Sequence, residues 1–124
     1  MRLLSILKGK IHRAVVTEAN VNYIGSISID SDLMELSGIV QNERVHVWNI
    51  ANGKRLETYA IAAPAGSGTI CLNGAAAHHV SIGDLVIIAA FCWTDEPVEP
   101  RVILVDDNNR FVSYLPVETS GAEG

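Results

Sequence analysis

The chain has 124 residues, 48% of them apolar and 19% charged, with 14 acidic residues against 9 Lys plus Arg for a formal charge of −5. That length suits one compact domain, 1–124, with enough core to stand without disulfides. The acidic balance argues against a surface built to neutralise phosphate backbones, so no nucleic-acid partner is expected, and the longest apolar run, Leu85 to Trp93, is far shorter than the ~20 residues of a membrane-spanning helix.

At the N-terminus, Lys8 and Lys10 arrive before any apolar region of useful length or small-residue cleavage site, so no export signal is read and a cytoplasmic location is expected. Val, Ile and Thr then dominate short segments punctuated by Gly, Asn and Asp, the pattern of a mainly β chain with short helices. Strands are predicted over Leu3 to Leu7, Lys10 to Thr17 and Asn22 to Ile29. A short helix follows from Ser31 to Ser37, capped by Asp30 or Ser31 and stopped by Gly38. Arg44 to Asn49 and Arg55 to Ala62 are strands joined through Asn52-Gly53, a dipeptide that takes the positive φ angles of a tight hairpin. Thr69 to Leu72 is a further strand and Ala75 to His79 a second short helix, before strands at Leu85 to Cys92, Val102 to Asp106 and Phe111 to Tyr114. So many short strands favour a closed barrel or a sandwich. ERVHV at Glu43 to Val47 and DLVII at Asp84 to Ile88 lie 41 residues apart, each after a predicted helix, which points to two half-barrel units. Residues 117–124 carry no large apolar anchor and read as a flexible tail.

Cys71 and Cys92 show no C-x-x-C element and read as small core residues. His46 and the His78-His79 pair have no carboxylate or thiol at a suitable spacing, so no metal is expected. Three features stand above this background: Gly25-Ser26 inside a strand pattern, the run from Trp48 to Tyr59, and Asn73-Gly74-Ala75-Ala76. Each has a plain reading when taken alone. Gly25-Ser26 is a bulge or bend, Tyr59 a core or interface aromatic, Lys10 and Arg55 solvated charges, and Asn73-Gly74 a turn.

Taken together and in order, LKGKIHRAVVTEANVNYIGSISID at Leu7 to Asp30, VHVWNIANGKRLETYAI at Val45 to Ile61, LNGAAAH from Leu72 and GDLVIIAAF ending at Phe91 closely resemble the precursors of the pyruvoyl-dependent aspartate 1-decarboxylases. The resemblance spans nearly the whole chain and fades after Trp93. It implies a double-psi β-barrel, a homotetramer with active sites between subunits, and autocatalytic cleavage between Gly25 and Ser26. The chemistry of that cleavage is accessible from first principles. A serine hydroxyl attacks the preceding carbonyl if the peptide is held out of its relaxed geometry and the developing oxyanion meets donors. The resulting ester then loses Gly25 as a carboxylate by β-elimination, and hydrolysis of the dehydroalanine left at 26 gives a pyruvoyl group. The products are a β chain, 1–25, and an α chain, 26–124.

By the same resemblance, Ser26 becomes the Schiff-base position and Tyr59 the proton donor after loss of carbon dioxide. Thr58 assists cleavage and helps bind the substrate. Lys10 and Arg55 bind substrate carboxylates, Arg through its planar fork of donors. Asn73, Gly74, Ala75 and Ala76 form the loop beside the reacting carbonyl, and His12, Tyr23 and Trp48 line the site. The implied reaction converts L-aspartate to β-alanine in the branch leading to pantothenate and coenzyme A. Regular strand geometry raises one objection, because Thr58 and Tyr59 are adjacent and point to opposite faces. Asn20 and Ile24 depart from acidic residues found in family members and are expected to affect the rate of maturation. Whether an accessory protein assists maturation is not written in these residues. Two other readings stay open: decarboxylation of a different acidic amino acid, and a non-catalytic oligomeric barrel that keeps Gly25-Ser26 only as a bend.

Overall fold

The computed structural model describes residues 1–116. Among them, nine strands form one mixed sheet: β1 (Leu4–Val15), β2 (Glu18–Asn20), β3 (Ser26–Asp30), β4 (Arg44–Asn49), β5 (Arg55–Ala63), β6 (Ile70–Asn73), β7 (Leu85–Thr94), β8 (Arg101–Val105) and β9 (Phe111–Tyr114). Helix α1 (Ser31–Ser37) follows β3, and a 3₁₀ helix, Gly74–His79, follows β6. The sheet order is β2-β6-β3-β5-β4-β7-β1-β8-β9. Because β1 continues through Val16 and Thr17 into β2, one segment of chain pairs with β7 along one part and with β6 along another. The segment β1–β2 therefore closes a ring with β6, β3, β5, β4 and β7, while β8 pairs in parallel with β1, adds Ile103 and Val105 to the core, and carries β9 on its other edge. The mainly β fold with short helices is what forms, and closure spares the ring the exposed edges of an open sheet. No helix among the described residues is long and apolar enough to cross a membrane.

The core follows the two-residue period of the strands: Ile11, Ile27, Ile29, Val45, Val47 and Ile88 point inward and are fully buried. The internal similarity seen in the sequence is a structural repeat. In the turns Val40 to Glu43 and Ser81 to Asp84, the last acidic side chain accepts the first backbone N–H, at 3.1 Å on Glu43 Oε1 and 2.9 Å on Asp84 Oδ2. The third residue of each takes a positive φ, 69° at Asn42 and 95° at Gly83. Each turn then clasps one buried residue of a distant segment, Ala60 in β5 or Val16 between β1 and β2. Asn42 N–H donates to Ala60 O at 2.8 Å and Ala60 N–H to Glu43 O at 2.9 Å, while Gly83 N–H donates to Val16 O at 2.8 Å and Val16 N–H to Asp84 O at 2.9 Å.

Asp30 caps α1 by accepting the Asp32 N–H at 2.9 Å, and the same carboxylate takes the N–H groups of Gly66 and Gly68, at 3.0 and 2.9 Å. The helix stops at Gly38, whose φ of 77° is left-handed, as expected from its position. The Asn52-Gly53 hairpin also forms, with Gly53 at φ 74°. The tail expected to be flexible, 117–124, lies outside the described residues.

Three sequence expectations shift. The first two predicted strands are one, β1, because Gly9 is a crossing point rather than a break: a Cβ there would collide with the carbonyl of Ser37 at the end of α1. Glu18–Asn20 pairs in parallel with β6, a partnership invisible in so short a segment. Residues 21–25 form a turn and a bend, so β3 starts at Ser26 and the Gly25-Ser26 pair sits at a strand entrance rather than inside a strand.

Hydrogen bonds from the Asn49 amide and the Ser81 backbone hold the Asp84 carboxyl below its ordinary range. A depressed folded-state pKa gives stability that is present above the unfolded value and lost as pH falls through the carboxylate range. Asp84→Asn is therefore expected to lower stability at pH 7, with the difference from wild type vanishing towards about pH 3 in urea titrations.

Candidate active site

The site grows from the pairing of β3 with β6. Their antiparallel register sets Ser26 opposite Asn73, Ile27 opposite Leu72 and Ser28 opposite Cys71. Ile27 and Leu72 fill the core, so Ser26, Ser28, Cys71 and Asn73 share the opposite face. There the Asn73 amide donates from Nδ2 to Ser26 Oγ at 2.9 Å and to Ser28 Oγ at 3.2 Å. Its Oδ1 accepts from Cys71 Sγ at 3.2 Å. Ser26 and Asn73 are only 4% and 3% exposed. On the other side of β3 the parallel register pairs Ile27 with Ala60, which brings Tyr59 alongside Ser26 at the usual strand spacing of about 4.8 Å.

These groups line an open cavity of about 640 Å³ together with Glu18, Asn20, Tyr23, Ile61 and Thr69. Beyond the peptide bond a second cavity of about 390 Å³ is lined by Gly25, Thr58, Tyr59, Ala75, Ala76 and His79. The Gly25–Ser26 bond thus lies between two cavities, with Ser26 bordering the first and Gly25 the second. Tyr59 borders both and Thr58 only the second. Strand alternation therefore poses no obstacle, since adjacent residues serve opposite sides of one peptide.

Gly74 makes this arrangement possible. It turns the chain out of β6 into the 3₁₀ helix with φ 65°, and a Cβ there would stand 2.7 Å from Gly25 Cα, 2.8 Å from Gly25 N and 3.0 Å from Tyr23 O. The two backbones touch, and only glycine permits it. Gly25 differs: it has no left-handed φ, and an added Cβ would meet only Asn73 O at 4.0 Å. Neither conformation nor packing demands glycine there, so its distinguishing property is an unhindered carbonyl.

Other predicted residues lie apart from Ser26 within one chain. Arg55 is four residues before Tyr59, about 13 Å along an extended strand, and its guanidinium lies 4.5 Å from the centre of the Trp48 ring. Trp48 pairs with Arg55 across β4 and β5. Lys10 lies on β1 opposite Ala89, whose other partner is His46. His12, two residues on, is held below its ordinary pKa by burial and by the charges of Lys10 and Arg13. Lys10, His12, Trp48 and Arg55 border neither cavity. Glu57 stands between Tyr59 and Arg55 on β5 and approaches Arg44 Nε at 3.7 Å and His46 Nε2 at 3.8 Å.

Sequence reasoning missed Ser28, Glu18 and the polar role of Cys71. Cys71 is buried, as expected of a core thiol, yet it also bonds to Asn73. Burial and the neighbouring Glu18 carboxylate push its pKa up, so the thiol keeps its proton. The two-residue spacings from Ser26 to Ser28 and from Cys71 to Asn73 were readable; the pairing of β3 with β6 that unites them was not. Among the described residues no three His, Cys, Asp or Glu side chains gather as a metal site.

The chain matches the family model for aspartate decarboxylase over residues 2–112. The aspartate 1-decarboxylase of Caldicellulosiruptor saccharolyticus is 59% identical over 114 residues, 89% of each chain. That of Carboxydothermus hydrogenoformans is 53% identical over 122 residues, 95% of this chain and 96% of its own, and that of Neisseria meningitidis serogroup C is 51% identical over 122 residues, 93% and 96% respectively. The chain belongs to the aspartate decarboxylase family.

Gly74→Ala is expected to destabilise the fold by about 2 kcal/mol through a left-handed alanine. The loss is read from urea unfolding midpoints of the two proteins.

Proposed function

We propose that the chain is a self-processing enzyme that cleaves itself between Gly25 and Ser26 and then decarboxylates L-aspartate to β-alanine. The observation that carries this reading is the buried Ser26 hydroxyl, held by the Asn73 amide at 2.9 Å beside a peptide against which Gly74 is pressed. Ser26 Oγ attacks the Gly25 carbonyl carbon, the hydroxyl proton passes to the Ser26 nitrogen, and the C–N bond breaks to leave an ester. Loss of the Ser26 Cα proton then breaks Cβ–Oγ, and the electron pair leaves with the Gly25 carboxylate. Water replaces the nitrogen of the resulting dehydroalanine, releasing ammonia and leaving a carbonyl at residue 26. The surroundings suit such a group, since Ser26 is buried, faces a cavity and has an amide donor within reach. When formed, a pyruvoyl group there supplies the electron sink for loss of the substrate α-carboxylate.

The remaining tasks fall to side chains. This reading assigns the proton donor to Tyr59, and its place beside Ser26 on the neighbouring strand, bordering the same cavity, supports that role. Thr58 supports cleavage from the second cavity, and Ala75 and Ala76 leave room for backbone to approach Gly25. A substrate with two carboxylates needs cations, yet the lining of the larger cavity holds none and includes the carboxylate of Glu18. Lys10 and Arg55, with His12 and Trp48, form a patch too far along the same chain. A second copy that turns this patch towards the cavity completes the site, which supports a homotetramer with active sites between subunits. The reading places a single-domain enzyme in the cytoplasm, on the branch that supplies β-alanine for pantothenate and coenzyme A.

Ser26→Ala should stay folded and intact and release no carbon dioxide from aspartate, while wild type does both the cleavage and the release. Release of carbon dioxide from aspartate by the folded Ser26→Ala protein would overturn the proposal.

A further inference from the structure

We infer that Cys71 is a positioning residue for cleavage at Gly25–Ser26, because its thiol proton decides which way the Asn73 amide faces. The inference rests on the self-cleavage reading and adds to it a residue that never touches the scissile bond. The Asn73 side chain lies among three polar groups: Ser26 Oγ at 2.9 Å and Ser28 Oγ at 3.2 Å on its nitrogen, and Cys71 Sγ at 3.2 Å on its oxygen. Both hydroxyls can donate or accept, so they accommodate either orientation of the amide. The thiol discriminates, since sulfur is a weak acceptor and S–H a usable donor. With the proton on sulfur, Oδ1 turns towards Cys71 and Nδ2 towards Ser26. The alternative acceptors for that proton, Glu18 Oε2 at 3.8 Å and Leu72 O at 4.0 Å, are farther away.

The orientation matters at two steps. With Nδ2–H on Ser26 Oγ, the oxygen is held by a donor and its own proton remains free to move to the amide nitrogen during attack. A reversed amide would accept that proton in a hydrogen bond and hold it back. When Cβ–Oγ later breaks, the electron pair settles on the Gly25 carboxylate, of which Oγ is now part, and the Asn73 N–H already points at that oxygen. Cys71 is 6% exposed and Asn73 3%, so solvent offers little substitute for the missing donor.

The test is a cleavage time course on freshly purified full-length protein, followed by denaturing intact mass, for wild type, Cys71→Ala and Cys71→Ser, with the thermal midpoint of each recorded. Losing one neutral hydrogen bond should slow cleavage about fivefold in Cys71→Ala, whereas the Ser hydroxyl should restore the rate to within about twofold of wild type at an unchanged midpoint. Cleavage of folded Cys71→Ala at the wild-type rate would overturn the inference. So would a folded Cys71→Ser protein as slow as the Ala variant, which would assign the effect to packing instead of the proton. If Cys71→Ala does not fold, the Ser variant alone decides, with a rate near wild type supporting the donor role and a rate about fivefold lower contradicting it. A wild-type chain that never cleaves would overturn the self-cleavage reading itself, and is distinguished by the absence of fragments in all three proteins.

Discussion

The backbone contact between Gly74 and Gly25 is the constraint on which the site depends. One strand end and one turn must pass so closely that a single added carbon would lie 2.7 Å from the opposing Cα. That approach requires β6 to deliver Asn73 in an extended conformation and then reverse at once, which a glycine with φ 65° allows. Everything polar at the site follows from it. Asn73 comes into register with Ser26, its amide reaches the hydroxyl, and the small side chains of Ala75 and Ala76 leave a cavity on the far side of the peptide.

The barrel behind this contact is built to hold it still. Strands β3, β5 and β6 carry fully buried Ile27, Ile29, Ala60, Ile70 and Leu72 on the inner face directly beneath the site. Asp30, only 3% exposed, ties the end of β3 to the loop before β6 through the backbone N–H groups of Gly66 and Gly68, and to the start of α1 through that of Asp32. A hydroxyl held between adjacent rigid strands has few alternative positions, and such preorganisation lowers the barrier to attack on a neighbouring carbonyl.

Much of the fold could be read from residues. The helix stop at Gly38, the Asn52-Gly53 hairpin and the alternation of buried aliphatics are local signals with local causes. The 41-residue echo between Glu43 and Asp84 was legible too, because both acids perform the same turn-closing task. Pairing between distant strands was not. Nothing near Cys71 announces Ser28 as its partner, and nothing near Gly9 announces the Ser37 carbonyl that crosses it. The site residues were legible only as members of a family pattern, since Tyr59 or Arg55 alone looks like any strand residue. Within one chain the structure separates the residues of that pattern that gather around Ser26 from those around Arg55, a division that adjacency in sequence conceals.

Denaturing intact-mass analysis of the wild-type protein after warm incubation tests the covalent claim most directly. The account predicts two species, residues 1–25 ending in a free carboxylate and residues 26–124 whose first residue has lost its nitrogen and carries a carbonyl. A folded, oligomeric protein that persists as one intact 124-residue species with no activity towards aspartate would contradict it.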